Sequence, residues 1–274
     1  MSVLIVAPQE KKEGIPAIKS LVRRALHSSG LFYPLRERFY FRNHPHIGLR
    51  RRKQLEFYGR LLASKQLIFD VGANVGQRTA VFLALGKKVV AFEPDARALT
   101  QLRARFRFAR RVVIEGVALG SRKEELPLYC CKTDALSSLS SDHVKMMREV
   151  HFPNDEWLPE QSVSVSTLDA MMKKHGAPGF IKIDVEGFEL EVLNGLSTPV
   201  SLSFEWHGCS PDDIALRAAR VRELSHDYKF NYCLGEEVAF AVPESVDYQT
   251  FVQSIIPKLA RDENAWGDIY ALLN

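Results

Sequence analysis

Leu67 to Thr79, LIFDVGANVGQRT, constrains the fold more than any other stretch of the chain. Leu67, Ile68, Phe69 and Val71 form a short apolar run, the loop after it carries Gly72 and Gly76, and a helical pattern continues through Leu85. Strand, glycine turn and helix in that order make one unit of a layered α/β fold. A second apolar run, VVAFEP from Val89, stops on Glu93. Glu93 lies about 20 residues past the loop, the spacing at which an acid at the tip of a second strand meets the ribose hydroxyls of a bound nucleoside.

A backbone that approaches a ligand closely has no room for side chains, which is one use for glycine in such a loop. Here the loop reads G-x-x-x-G around Asn74, not the G-x-G-x-x-G of dinucleotide sites. Asp70 precedes the first glycine. An anion there repels a pyrophosphate and attracts an ammonium group. S-adenosylmethionine carries an ammonium and a sulfonium and no phosphate, so the loop favours it over NAD.

A third stretch, FIKIDVEGFEL from Phe180 followed by EVLNGL, completes an ordered set with DVGANVGQRT, VVAFEP, VALG and VSTLD. Together these resemble the FkbM-type family of S-adenosylmethionine-dependent methyltransferases over roughly Leu67 to His207, with a tail match at WGDIYA. The resemblance implies a Rossmann-like class I methyltransferase fold: a mostly parallel, doubly wound α/β sheet with helices on both faces. It also implies methylation of a hydroxyl on a sugar, polyketide or similar metabolite. Ser137, Ser138 and Leu139 match a serine pair common in the family. An Asn before VALG is common there too, and Gly116 stands in its place, so Glu115 is expected to take over the contact with the adenine amino group. The expected cofactor set is Asp70, Gly72, Asn74, Gly76, Glu93, Glu115 and Val117.

The 274 residues suffice for one large domain, or one domain with an appendage, and 46% hydrophobic with 26% charged residues is ordinary for a globular chain. No apolar run approaches the roughly 18 residues of a membrane span, and the apolar patch at the start is too short for a secretory signal. Four cysteines, two of them adjacent at Cys130 and Cys131, make neither a disulfide framework nor a zinc site. A reducing, cytoplasmic location is expected. The net charge of +4 is uneven: residues 1–66 hold 14 lysines and arginines against 4 acids, and the remainder holds 23 against 29. The expected division is a basic, mostly helical extension over 1–66 and the methyltransferase domain over 67–274.

Within the extension, Ile18, Leu21, Val22, Ala25 and Leu26 recur at helical spacing between Pro16 and Ser28. An aromatic, basic stretch follows, with Arg50 to Lys53 its sharpest charge run. Gln54 to Ser64 is expected to lead as a helix into the first strand, with Leu55, Tyr58, Leu61 and Leu62 on one face. Downstream, Asp95 suits an N-cap. Arg103, Arg107, Arg110 and Arg111 form a stripe that fits a solvated face. Further expected elements are strands at Val112 to Glu115, Leu126 to Cys131, Ser162 to Val165, Phe180 to Val185 and Val200 to Phe204, with helices at Thr167 to His175, Phe188 to Leu196 and Pro211 to Asp227. Phe230 to Leu234, Val238 to Val242 and Ile269 to Leu273 are the expected closing strands.

Ligands bind at the carboxyl ends of strands in such sheets. Asp70, Glu93, Glu115, Asp184 and Glu205 all fall at or near those ends. Asp184, Lys182, Glu205 and His207 are the catalytic candidates. Asp184 or His207 would take the proton of the attacking hydroxyl, or the acids near Asp184 would hold a divalent cation such as Mg. Lys182 in a central strand needs an ion-pair partner among those acids. DVEG replaces the Asn/Asp-Pro-Pro-aromatic tetrapeptide of many nitrogen-directed enzymes. The expected partner is a small-molecule hydroxyl acceptor. An RNA methyltransferase using the basic extension is the first alternative, and a non-catalytic cofactor-binding module the second. Assembly as a homodimer is left open.

Overall fold

The structure is a computed structural model that describes residues 45–131, 137–141, 143–145, 157–208, 210–235 and 237–273. The helix expected at Pro16 to Ser28 lies outside them. Helix α1 (Pro45–Leu61) starts with its proline in the first turn, where the missing N–H costs nothing, takes in the Arg50 to Lys53 run and ends at Leu61, short of the expected Ser64. The βα alternation then runs β1 (Leu67–Val71), α2 (Gln77–Ala84), β2 (Lys88–Phe92), α3 (Ala96–Arg105) and β3 (Val112–Glu115). After an excursion it resumes with α4 (Leu168–His175), β8 (Phe180–Ile183), α5 (Glu189–Asn194), β9 (Leu202–His207), α6 (Pro211–Leu224) and β10 (Lys229–Tyr232). A short helix (Tyr248–Thr250) passes through a π-helical turn (Phe251–Ile255) into a last helical turn (Ile256–Leu259), and β11 (Trp266–Leu272) closes the chain.

Seven strands form one sheet in the order β10-β11-β9-β8-β1-β2-β3. Neighbours from β9 to β3 run parallel, and β11 is antiparallel to both β9 and β10. This is the doubly wound order expected, with one reversed strand near the edge. Period-two alternation divides its side chains between two cores. Phe69, Val71, Val90, Ile181, Ile183 and Phe204 pack with α4, α5 and α6. Ile68, Val89, Phe180 and Tyr270 pack with α1 and α2.

Helix α1 is part of that second core. Tyr58 and Leu62 are fully buried, Tyr58 Oη lies 3.2 Å from Tyr270 Oη, and Lys87 Nζ donates to Leu62 O at 2.6 Å. The boundary expected at 66/67 thus falls inside a packed unit. The segment Val238 to Val242 is not a strand. Val238 and Phe240 fill the core beside α1, and Val246 makes the single bridge to Phe230.

The excursion builds a second sheet, β4-β7-β5-β6, from β4 (Ala118–Leu119), β5 (Glu124–Cys131), β6 (Ser137–Ser138) and β7 (Trp157–Ser166). The two short strands expected here are longer and pair with each other antiparallel. Ser137 Oγ donates to Asp95 Oδ2 at 2.7 Å, and Ser138 Oγ donates to Glu186 O at 2.6 Å. The serine pair therefore ties this sheet to both sides of the cavity below it.

Candidate active site

The cavity opens at the carboxyl ends of β1, β2 and β8 and is roofed by the second sheet. Gly72, Asn74 and Glu93 line one side, Asp184, Val185, Glu186 and Phe188 the other, and Phe92, Val117, Leu119, Leu128 and Leu139 supply apolar walls. Its empty space, open mouth included, is about 750 Å³.

Glu93 is buried, and its two carboxylate oxygens accept the backbone N–H of Asn74 at 2.7 Å and of Asp95 at 2.8 Å. Burial pushes its pKa up to about 7 against those two hydrogen bonds. Asn74 adopts a left-handed conformation, φ 49°, which asparagine tolerates better than most residues. Gly72 has φ 77°, and a Cβ there would lie 1.7 Å from Asp184 O. The first glycine is therefore needed to let β1 and β8 approach, beyond any approach of a ligand.

Three expected cofactor residues are not among those lining the cavity. Asp70 is buried and accepts a hydrogen bond from Thr79 Oγ1 at 2.5 Å, tying β1 to α2. Burial pushes its carboxyl up to about 6. A Cβ at Gly76 would meet the side chains of Phe106 and Leu102, so this glycine serves helix packing. Glu115 accepts from Lys174 Nζ and pairs with His175 Nε2, both at 2.8 Å, on the α4 face of the sheet. That engagement takes its carboxylate away from the adenine contact expected of it. Gly72, Asn74, Glu93 and Val117 are brought together as expected.

Near the carboxyl end of β8, Lys182 is 1% exposed in the middle of the sheet. Its ammonium donates to Asp268 Oδ1 at 2.8 Å, Asp184 Oδ2 at 3.2 Å and Ile183 O at 3.3 Å, so all three protons are used. Burial disfavours this cation, but the two aspartates outweigh it and its pKa is raised. Burial would likewise raise the Asp184 carboxyl, yet the Lys182 charge, the Arg78 charge and hydrogen bonds from Lys182 and Glu205 together outweigh this and hold it below the ordinary carboxylate range.

Asp184, Glu186 and Glu205 each place a carboxylate oxygen within 4.8 Å of the others. Glu205 is pushed up to about 7 by burial and by the Asp184 charge. His207 Nε2 sits 3.6 Å from Glu205 Oε2, too far for a hydrogen bond, and neither atom has a hydrogen-bond partner among the described residues. Burial opposes the His207 cation, but Glu205 prevails and raises its pKa.

The turn that presents these groups is strained. Glu186 has φ 54°, unusual for a residue with a Cβ, and Gly187 follows with φ 91°. Glu189, 1% exposed, accepts the N–H of Val185 and of Gly187 at 3.2 Å each and pairs with Arg217 at 3.0 Å. A Cβ at Gly187 would fall 2.5 Å from the His143 ring. His143 in turn places Nε2 3.9 Å from Glu186 Oε2.

Asp268, Glu189 and His143 escaped the reading of the sequence. Asp268 left one trace, an acid inside the apolar pattern of WGDIYA. Glu189 lies in an ordinary helical pattern. His143 belongs to an excursion with no periodicity to interpret.

The sequence matches the Methyltransferase FkbM domain over residues 70–232. No curated protein matches it. Among solved structures, it is similar to precorrin-6y C5,15-methyltransferase from Geobacter metallireducens, at 12% identity and TM-score 0.40, covering 76% of this chain and 80% of that one. An rRNA methylase from Streptococcus thermophilus aligns at 13% identity and TM-score 0.37 over 80% and 94%. The plantazolicin methyltransferase BpumL in complex with S-adenosylhomocysteine aligns at 12% identity and TM-score 0.40 over 94% and 98%. With the domain match spanning more than half of its length, the chain belongs to the FkbM family of S-adenosylmethionine-dependent methyltransferases.

Proposed function

We propose that this chain methylates a hydroxyl group of a small metabolite. One observation supports the reading above the rest: Asp184 and Glu186 line one end of a cavity whose other end suits S-adenosylmethionine, and a carboxylate oxygen of Glu205, behind them, lies within 4.8 Å of theirs. Glu93 suits the ribose hydroxyls, since a carboxylate accepts more than the two hydrogen bonds it already holds. The apolar walls suit the adenine. When bound, the cofactor supplies an electrophilic methyl group and its own leaving group.

What remains for the protein is to orient the acceptor oxygen and take its proton. Asp184 stays ionised and faces the cavity, so it accepts a hydrogen bond from the hydroxyl and aligns it. Glu205, with a pKa near 7 and His207 beside it, is suited to receive the proton at neutral pH. A cation such as Mg is the alternative tenant of the three carboxylates, which lie within 4.8 Å of one another and offer the oxygen ligands a hard ion takes. Incubating the purified chain and S-adenosylmethionine with hydroxylated acceptors, and scoring products by mass spectrometry for one added methyl, tests the reading. A methyl gained only on amines, across a panel holding both kinds of acceptor, refutes it.

A further inference from the structure

The outer surface of the α1–α2–α3 layer differs in charge from the rest of the molecule. Between Pro45 and Arg111 ten lysines and arginines are exposed against one exposed acid, Glu56, and Glu56 is paired with Arg60 at 2.5 Å. On the opposite face α6 exposes Asp212, Asp213 and Glu223.

The basic layer is continuous. Arg51 donates to Ala80 O at 2.7 Å, joining α1 to α2, and Leu102 and Phe106 pack with Ala80, joining α3 to α2. Two large apolar side chains stand out from it, Phe108 at 63% and Leu49 at 56% exposure, above every other large hydrophobic among the described residues. Both sit on chain segments that border α2, with their own side chains turned out to solvent. Leu49 lies two residues before Arg51, which also bonds Gln77 O at 3.3 Å, and Phe108 lies two residues after Phe106, which packs at Gly76. Each is set among cations: Arg50 and Arg52 beside Leu49, and Arg107 5.3 Å from the Phe108 ring centroid.

We propose that this face docks on an anionic membrane surface, with Phe108 and Leu49 seated among the headgroups and the arginines against lipid phosphate and carboxylate groups. Apolar anchors ringed by basic residues are the composition that holds a peripheral protein at a bilayer. Phe108 alone would also suit stacking on a base, but aliphatic Leu49 has no such use, and the pair together fits an apolar headgroup region. Residues 1–44 extend the same chemistry in sequence, with eight lysines and arginines against three acids, and with Phe32, Tyr33, Phe39, Tyr40 and Phe41.

Co-sedimentation of the full chain with phosphatidylcholine vesicles, plain or containing roughly one-third phosphatidylserine, tests the proposal. The chain should pellet with the anionic vesicles alone and be released by raised salt. Arg52→Glu with Arg110→Glu should lower the bound fraction about ten-fold or more, and Leu49→Ser with Phe108→Ser several-fold at fixed salt. Affinity for S-adenosylhomocysteine should stay unchanged in both variants, which reports an intact fold. Equal pelleting with neutral vesicles overturns the proposal, as does wild-type binding by both variants. So does tighter binding to a mixed-sequence single-stranded RNA that survives loss of Leu49 and Phe108.

Discussion

Glu93 braces the loop as well as facing the cavity, and this decides which substitution is informative. Glu93→Ala would leave the Asn74 and Asp95 N–H groups without an acceptor, mixing loop collapse with loss of a ligand contact. Glu93→Gln keeps the side chain's shape and one acceptor oxygen, and so disturbs one of the two bracing hydrogen bonds instead of both. It should weaken S-adenosylhomocysteine binding by about 1.5 to 3 kcal/mol in a folded chain, measured by calorimetry. Unchanged affinity would remove Glu93 from the ribose contact. Asp184 calls for the opposite pattern. Its backbone is fixed by a 3.0 Å hydrogen bond to Val71 O, and its side chain by Lys182, so Asp184→Asn preserves the shape of the site. With an accepted substrate in hand, turnover should fall about 100-fold while cofactor affinity changes by a few fold at most. EDTA separates the roles. Activity lost and then restored by magnesium assigns Asp184 to a cation, and indifference assigns it to the hydroxyl.

Helix α1 shows how an element can look like an appendage in sequence and belong to the core in space. Its polar faces are basic, but Tyr58 and Leu62 fill the side of the sheet that Ile68, Phe82, Phe180 and Tyr270 leave open. Tyr58→Ala should cost about 3 to 5 kcal/mol of unfolding free energy, the range for emptying a large aromatic site. Deleting residues 1–30 should leave a folded, cofactor-binding chain. Deleting 1–66 should leave an insoluble one, because that side of the sheet is then bare. Circular dichroism and thermal melting of the two truncations check this; equal stability would show that α1 is dispensable.

Across the whole molecule, the buried titratable groups bias stability with pH in one direction. Asp70, Glu93 and Glu205 are raised to about 6, 7 and 7 from ordinary carboxylate values, and His207 is raised from the ordinary imidazole value. A group raised on folding holds its proton more tightly when folded. Its stabilisation is complete below the unfolded pKa and is lost as pH rises through the folded one. The lowered groups, Asp95, Glu115 and Asp184, lose their contributions only as pH falls below the ordinary carboxylate range. Between pH 5 and 8 the raised set alone is titrating, so the ligand-free chain should melt at a lower temperature at pH 8 than at pH 5.5. A midpoint that rises over this range would contradict the burial of these acids.

Local pattern alone determined the βα units, the strand–glycine–helix start, the N-cap at Asp95 and the placement of Gly72 and Glu93 at neighbouring strand ends, while Asn74 and Val117 came with the family resemblance. Each is written in residues near one another in the chain, and doubly wound sheets put strand ends on one side. Asp184 and Lys182 were legible for the same reason, at the end of an apolar run. Only the tertiary structure decided the rest. Asp268 reaches Lys182 because β11 inserts antiparallel beside β9, a pairing 86 residues away that no local pattern encodes. Gly76 and Glu115 proved to be committed to packing and to an ion pair with α4, since which face of a strand or turn meets which helix depends on the sheet order. The roof over the cavity, with Ser137 and Ser138 tying it down, follows from β5 and β7 pairing across an insertion, and sequence pattern carries no register across such a gap.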